Sequence, residues 1–322
     1  MTAELMHPKA RFARPLLALV VLAPFVGEIL SSNVPASLFF LRPIMILFAA
    51  LTYSLPVLLI RELAVARRLS HPGLLICGLA YGIFNEGILA RTLVMSEGLP
   101  IPTFNHYFSV LGLNVAWAIT LLVWHALFSV ATPVLVVHWL WPDQAGTRWL
   151  SKGWIIVTLG VICLTSLLFF RADEGRPPSG RYFLVFVGTI IALIGLAATC
   201  TGGVARGFAL SWRAAIAGVM FFVFFGGLFA VSALGLHPAF FLAYAVTVLI
   251  GFAWYVLRKK NGAGTLLFFC IGNCASYSLF VFLAKLRFSP EGCVVSLMIA
   301  CGYALLFRRA RRAVLPGSYS VP

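Results

Sequence analysis

The chain alternates between long apolar stretches and short polar connections, and the lengths of the apolar stretches are its first structural signal. About 20 consecutive apolar residues are needed for a helix to cross the hydrocarbon core of a bilayer. We therefore predict an all-α fold, a polytopic helical membrane protein with about ten transmembrane helices. The predicted spans are 15–32, 43–60, 73–95, 113–140, 153–170, 182–203, 214–234, 239–257, 265–284 and 291–307.

The composition excludes most other classes of protein. Hydrophobic residues make up 61% of the chain and charged residues 10%, with a mean hydropathy of +1.01. Soluble domains are about 45–50% apolar and ~25% charged, so a soluble enzyme, a disordered chain and a secreted disulfide scaffold are excluded. The seven cysteines all lie in apolar stretches, where a thiol behaves as a small hydrophobe. We expect no disulfide, no metal site and no cofactor.

The basic residues fall in short clusters between the apolar stretches, which indicates an orientation in the membrane. With the N-terminus inside, 17 of the 24 Lys and Arg residues lie on the inner side and 6 on the outer side. This bias predicts that both termini are cytoplasmic. We expect a multi-pass protein of the plasma membrane, a bacterial inner membrane. Clusters of this kind argue against a nucleic-acid partner and leave the lipid bilayer as the expected one.

The predicted spans form one integral membrane domain over residues 1–322. Residues 1–140 make a four-helix half that carries the ionisable residues of the membrane interior, and residues 141–307 make an apolar six-helix half. Residues 308–322 form a basic tail that we expect to be disordered. Arg61 and Glu62 are assigned to the connection after the second span.

Ionisable side chains deep in a membrane are costly, and each is therefore a candidate functional residue. Of the nine acidic residues, only Glu28 and Glu86 lie well inside predicted spans, each thirteen residues from the inner start of its helix. His125 lies twelve residues into the fourth span, which runs in the opposite direction. Three helices thus bring a carboxylate or an imidazole to similar depths. We predict a polar pocket there, with Tyr81, Asn85, Arg91, Asn114 and Ser129 as supporting or binding residues.

Part of this region resembles a known family. Asn85-Glu86-x-x-x-x-Arg91 on the third span, followed by His125 in Trp124-His125-Ala126-Leu127 on the fourth, is similar to the CPBP intramembrane proteases. That family, which includes CAAX proteases and bacteriocin-processing relatives, has Glu-Glu-x-x-x-Arg on one helix and Phe-x-x-x-His on the next. The resemblance covers residues 73–140. Asn85 stands in place of the first glutamate, Leu121 in place of the phenylalanine, and Arg91 is displaced by one position.

The resemblance implies an intramembrane hydrolase in which a glutamate activates water. Carried over to matching positions, Glu86 is the general base and His125 holds water or stabilises the oxyanion. We further expect Glu28 to supply the second carboxylate that Asn85 cannot. The substrate would be a membrane-embedded peptide or a small molecule.

Two other functions fit the same residues. Glu28 and Glu86 could serve a proton- or cation-coupled transporter of small molecules, since carboxylates within membranes often relay protons. Alternatively, the protein is a non-catalytic relative or a scaffold, in which Glu, Asn and His join helices by hydrogen bonds. A pocket open to lipid favours the protease, and one open alternately to each aqueous side favours the carrier.

Overall fold

The computed structural model describes residues 13–30, 41–172, 180–203, 211–257 and 263–285, with a few positions between 293 and 305. These residues form long helices that match the first nine predicted spans. Nine of the seventeen positions of the tenth span, 291–307, and the whole predicted tail, 308–322, lie outside the described residues. The helices are α1 (Ala13–Pro24, continued by Phe25–Ile29), α2 (Pro43–Ala66), α3 (His71–Leu89), α4 (Val115–Leu140), α5 (Lys152–Ala172), α6 (Gly180–Thr199), α7 (Trp212–Ala233), α8 (Pro238–Leu257) and α9 (Ala263–Lys285).

Eight of these helices, α2 to α9, contain apolar stretches long enough to cross a membrane. The predicted membrane protein is therefore supported, whereas the count of ten spans rests on sequence alone. A single helical turn, Pro142–Ala145, links α4 to α5. The described connections gather at two ends of the bundle: Trp149 bonds to Glu62 at one, and Tyr107 bonds to Leu236 at the other. We call these the Arg61 end, where α2 ends and α3 begins, and the Tyr107 end, where α3 ends and α4 begins.

Two predicted span boundaries were wrong, for different reasons. The second helix continues to Ala66 instead of ending at residue 60, because Arg61 and Glu62 pair with each other and stay inside the helix. The third ends at Leu89 instead of residue 95. Arg91 adopts a left-handed backbone with φ of 58°, which stops the helix, and a 3₁₀ turn, Thr92–Val94, follows.

The connection between α3 and α4 folds back over the Tyr107 end. It contains a second 3₁₀ turn, Pro102–Phe104, and two short antiparallel strands, β1 (Ser109–Val110) and β2 (Leu113–Asn114). The Tyr107 hydroxyl donates a hydrogen bond to the carbonyl of Leu236, 2.7 Å away, which ties this connection to the turn between α7 and α8. The loop thus closes one end of the helix bundle.

Burial shows which helices form the centre of the protein. In α3 and α4, 72% and 83% of the apolar stretch is buried within the protein, compared with 11% in each of α5, α6 and α8. The two central helices are therefore surrounded by protein, while α5, α6 and α8 present most of their surface to lipid. Glu86 and His125 lie on these two enclosed helices.

Helices α7 and α9 cross at backbone contact through two glycines. A Cβ atom on Gly218 would lie 2.0 Å from the carbonyl oxygen of Phe269, and one on Gly272 would lie 2.0 Å from that of Ala215. Small residues at such crossings let membrane helices pack closely without a hydrophobic driving force. The crossing fixes α9, which carries Tyr277 toward the polar pocket described below.

We expect Gly218→Ala to destabilise the protein, because the added methyl group must push α9 away from α7. Overpacking of this kind costs about 1–3 kcal/mol. Gly226→Ala on the same helix is the matched control, since its methyl group meets no atom within 4 Å. Thermal unfolding in detergent micelles compares the two variants. Equal melting temperatures for both would contradict the packing described here.

Candidate functional site

A close approach of α3 and α4 positions the site. A Cβ atom on Gly78 would lie 2.5 Å from the Cα atom of Ala126, and one on Gly82 would lie 2.8 Å from Cδ2 of Leu122. Residues four apart lie on the same helix face, so Glu86 continues the face of Gly78 and Gly82. The missing side chains of the two glycines therefore bring the carboxylate of Glu86 up against α4.

Four helices change to π-helical geometry where they surround the pocket. The π-helical segments are Phe25–Ile29, Ala50–Ser54, Phe84–Leu89 and His125–Ala131, and the described residues contain no others. Each carries at least one polar residue of the site. Because π-helical turns are rare and are frequently found at functional sites, four of them around one pocket indicate a specialised geometry.

The wider turns also supply backbone acceptors for bonds between helices. The indole Nε1 of Trp124 donates to the carbonyl of Gly27, 3.3 Å away, and the hydroxyl of Tyr81 donates to the carbonyl of Thr52, 2.9 Å away. These bonds join α4 to α1 and α3 to α2. Both accepting carbonyls lie in π-helical segments, so the irregular backbone and the positioning of the site are linked.

The centre of the site is a contact between Glu86 and His125. Oε1 of Glu86 lies 2.9 Å from Nε2 of His125, and Oε2 accepts a hydrogen bond from the Thr92 hydroxyl. On the other side of the ring, Nδ1 of His125 lies 2.9 Å from the hydroxyl of Ser129. The amide nitrogen of Asn85 is 3.4 Å from Nε2 of the same ring. The imidazole is thus held at both nitrogens.

Glu28 joins this cluster through a tyrosine. The Tyr53 hydroxyl donates to Oε2 of Glu28 at 2.6 Å and accepts from the Asn85 amide at 3.4 Å. Gly27 permits this approach, since a Cβ atom there would lie 2.6 Å from the Tyr53 ring and 2.9 Å from the Ser129 hydroxyl. A continuous series of polar groups therefore connects Glu28 with His125 and Glu86.

A cavity of about 110 Å³ opens beside these groups. By volume it has room for several water molecules. Glu86 is 12% exposed and His125 only 2%, so the carboxylate is the more accessible of the two. Aromatic residues of α4, α7 and α9 also line the cavity, together with Ile101 and Phe104 of the loop at the Tyr107 end. Residues of the cavity wall are Gly27, Glu28, Tyr53, Glu86, Ile101, Phe104, Trp117, Thr120, Leu121, Trp124, His125, Phe225, Phe229 and Tyr277.

Of the residues selected from the sequence, Glu28, Asn85, Glu86, His125 and Ser129 come together. Tyr81 stacks edge-on against the His125 ring with centroids 5.3 Å apart. The structure does not bring Asn114 or Arg91 to the cavity wall.

Asn114 lies away from the groups around His125, at the start of α4. Asn114 precedes the first residue of α4 and caps it, accepting from the Trp117 amide at 3.0 Å and donating to the carbonyl of Phe104 at 2.9 Å. A residue at a helix N-cap turns its side chain back to its own backbone. Arg91 lies beyond the end of α3, where its guanidinium donates to the carbonyl of Phe169 at 3.4 Å.

Sequence reasoning missed Tyr53 and Thr92, which are common residues in membrane helices and loops. What marks them as site residues is visible only in the structure: Tyr53 bonds to the carboxylate of Glu28, and Thr92 bonds to that of Glu86. Within the described ranges, no group of three or more His, Cys, Asp and Glu side chains is placed to hold a metal ion. The chemistry available at the site is therefore that of a hydrogen-bonded carboxylate and imidazole facing a small cavity.

Sequence reasoning also missed a second buried cluster, at the Arg61 end. Arg61 and Glu62 form an ion pair at 2.5 Å with side chains 0% and 2% exposed. Arg61 also donates to the carbonyl of Gln144 at 2.9 Å and lies 3.5 Å above the ring of Trp149. Its Nε lies 3.3 Å from Nε2 of His138. The cluster fastens α2 to α4 and to the connection between α4 and α5.

The comparisons with known proteins place the chain in a family. No curated protein and no solved structure matches it. A family of proteins matches over residues 17–311, which includes every residue of the site and every described helix from α2 to α9. By that match, the chain belongs to the family described as an uncharacterized membrane protein family.

Proposed function

We propose that the protein is an intramembrane hydrolase in which Glu86 activates water beside His125. The observation that carries the proposal is the 2.9 Å contact between the two side chains at the wall of a cavity with room for water. A general base must reach the proton that it removes, either directly or through one water molecule. Because Glu86 lines the cavity, it reaches a water molecule that is bound next to it.

The reaction follows from the groups on the cavity wall. Glu86 takes a proton from water while the water oxygen attacks the carbonyl carbon of the substrate. The His125 ring, which lines the same cavity, stabilises through an N–H group the negative charge that develops on the carbonyl oxygen. The bond from carbon to the leaving nitrogen then breaks, and Glu86 returns its proton to that nitrogen. One water molecule is consumed, and no cofactor takes part.

The second carboxylate has a supporting role in this reaction. Glu28 accepts from the Tyr53 hydroxyl, whose oxygen in turn accepts from Asn85. The series orients the Asn85 amide nitrogen toward Nε2 of His125, 3.4 Å away, so that Asn85 helps to position the imidazole. The resemblance of Glu86 and His125 to the motif residues of CPBP intramembrane proteases supports the same roles. The substrate would be a membrane-embedded peptide or a small amphiphile that enters between helices.

The orientation of the protein is part of the proposal. The basic residues between helices are concentrated at the Arg61 end, and the positive-inside rule assigns that end to the cytoplasm. The site then lies in the outer half of a plasma membrane, and both termini are cytoplasmic. The same reasoning favours a bacterial inner membrane.

A proton-coupled carrier is the second candidate, and one specific observation favours it. Polar contacts join two carboxylates inside the bundle, in the order Glu28, Tyr53, Asn85, His125 and Glu86. Carboxylate and histidine series of this kind serve as proton relays in transporters. A scaffold without catalysis would need none of these groups to face a cavity.

We expect Glu86→Gln and His125→Asn to lower hydrolysis strongly, since general acid–base groups contribute about 10²–10⁴-fold. Purified protein in liposomes is incubated with a mixture of hydrophobic peptides in H₂¹⁸O, and mass spectrometry counts products with one ¹⁸O in a new carboxyl group. Glu97→Gln is the matched control, because Glu97 is 77% exposed and pairs with His106 in the loop. Unchanged cleavage by Glu86→Gln would overturn the hydrolase. Proton flux that is lost in this variant, without cleavage in the wild type, would establish the carrier instead.

Tyr53→Phe tests whether Glu28 contributes. The substitution removes the only hydroxyl between Glu28 and Asn85 in the described hydrogen bonds, and a hydrogen bond to a charged group is worth about 1.5–3 kcal/mol. We expect activity to fall by about tenfold or more. Tyr81→Phe is the matched control, since it removes a hydroxyl that bonds only to a backbone carbonyl. Equal loss in both variants would show that the hydroxyls act through helix packing.

A further inference from the structure

A second cavity lies between α2, α3, α5 and α6 and shares no lining residue with the cavity beside Glu86. Its volume is about 440 Å³, within the range of about 300–1,000 Å³ found for sites that bind small molecules. We call it the α2–α5 groove. Its walls are almost entirely aliphatic, and its lining residues are Pro56, Leu59, Ile60, Glu62, Leu63, Ala66, Cys77, Ala80, Tyr81, Phe84, Arg148, Ile155, Leu159, Ile162, Ile190 and Ile194.

The length of the groove corresponds to one leaflet of a bilayer. On α2 it extends from Ala66 at the Arg61 end to Pro56, ten residues along the helix. At 1.5 Å per residue this is about 15 Å, half of the ~30 Å hydrocarbon core. Tyr81 and Phe84 line its deeper part on α3. A single hydrocarbon chain that enters from the membrane surface would therefore lie along it.

The mouth of the groove is positively charged. Arg148 lines the mouth and is 45% exposed. Arg67 lies four residues after Leu63, which lines the groove, and therefore on the same face of α2. Lys152 lies three residues before Ile155, which lines the groove on α5, and therefore on the same face of that helix. Arg67 and Lys152 are also exposed. Cations at such positions lie at the height of lipid head groups.

The one acidic residue at the mouth is already compensated. Oε1 of Glu62 accepts from Arg61 at 2.5 Å and from the Trp149 amide at 3.0 Å, and Oε2 accepts from the Leu150 amide at 3.3 Å. Arg148 approaches Oε2 only to 3.9 Å. The buried Arg61–Glu62 pair cancels its own charge, so the exposed cations leave the mouth with a net positive charge.

We propose that the α2–α5 groove binds one anionic phospholipid of the adjacent leaflet. Its phosphate lies among Arg67, Arg148 and Lys152, and one acyl chain follows the aliphatic wall toward Tyr81. The positive charge at the mouth matches an anionic head group, and the length of the aliphatic wall matches an acyl chain that spans one leaflet. Because Tyr81 also contacts the ring of His125, the lipid lies against the outer side of a residue that supports the polar site. The binding site does not depend on hydrolysis or transport.

Native mass spectrometry of the full chain tests the proposal. Protein in detergent is mixed with equal amounts of phosphatidylglycerol and phosphatidylcholine that carry the same acyl chains. We expect one phosphatidylglycerol to be retained in at least fivefold excess over phosphatidylcholine. Arg148→Gln should remove most of this preference, and the triple substitution of Arg67, Arg148 and Lys152 by Gln should abolish it. Arg213→Gln, an exposed cation at the same end outside the groove, should leave the preference unchanged.

A second pair of variants tests the apolar part. Leu159→Trp places an indole into the groove from a lipid-exposed position, and Leu164→Trp adds the same group to the same helix outside it. We expect only Leu159→Trp to release the retained lipid. The proposal would be overturned if both lipids were retained equally and if neither Arg148→Gln nor Leu159→Trp changed their retention. That result would indicate ordinary boundary lipid. Co-purification of a second copy or of a peptide displaced by Leu159→Trp would overturn the proposal as well.

Discussion

The close contact of α3 with α4 at Gly78 and Gly82 determines the arrangement of the polar site. A helix with side chains at these positions would stand further from Ala126 and Leu122, and the carboxylate of Glu86 would withdraw from His125. The contact also places α3 and α4 at the centre of the bundle, where the other helices cover them. Because the surrounding helices enclose α3 and α4, their ionisable side chains face protein and a small cavity instead of lipid. This lowers the free-energy cost of placing them within the membrane.

Without water in the hydrocarbon core, each polar group must find its partner within the protein. The protein meets this requirement in two ways. At the Arg61 end, Arg61 and Glu62 have little freedom, because each bonds to two groups of the connection between α4 and α5. In the polar site, the partners are side chains on four π-helical segments and Thr92 of the following turn, and a cavity is left beside Glu86. The first arrangement suits a structural joint, and the second leaves room for a reactant.

The sequence made the helices and the principal polar residues predictable for a simple reason. Long apolar stretches have one stable form in a bilayer, and Glu28, Glu86 and His125 are conspicuous because so few ionisable residues interrupt these stretches. Their meeting was not predictable, since spacing along a chain does not fix the rotation of one helix against another. The π-helical segments add to this difficulty, because each shifts the face of the residues that follow it.

The differences between prediction and structure have the same physical origin. Arg61 and Glu62 were assigned to a connection because isolated charges end a membrane span, but as a pair they cancel and remain in α2. Asn114 shares a face with His125 if α4 is extended backward by one residue, yet its side chain bonds to the backbone as a cap. Tyr53 carries no sequence signal beyond its type, and only the folded structure shows that its hydroxyl joins Glu28 to Asn85.

The most direct test of the account is a measurement of the His125 ring in a bilayer, which needs no substrate. Protein with ¹⁵N-labelled histidine rings in lipid nanodiscs is compared with Glu86→Gln, and loss of a signal in His125→Asn assigns the resonance. The account predicts that Glu86→Gln shifts the His125 nitrogens, that Glu97→Gln does not, and that the ring protons exchange magnetisation with water. A His125 signal that is the same in the wild type and Glu86→Gln and shows no contact with water would contradict it.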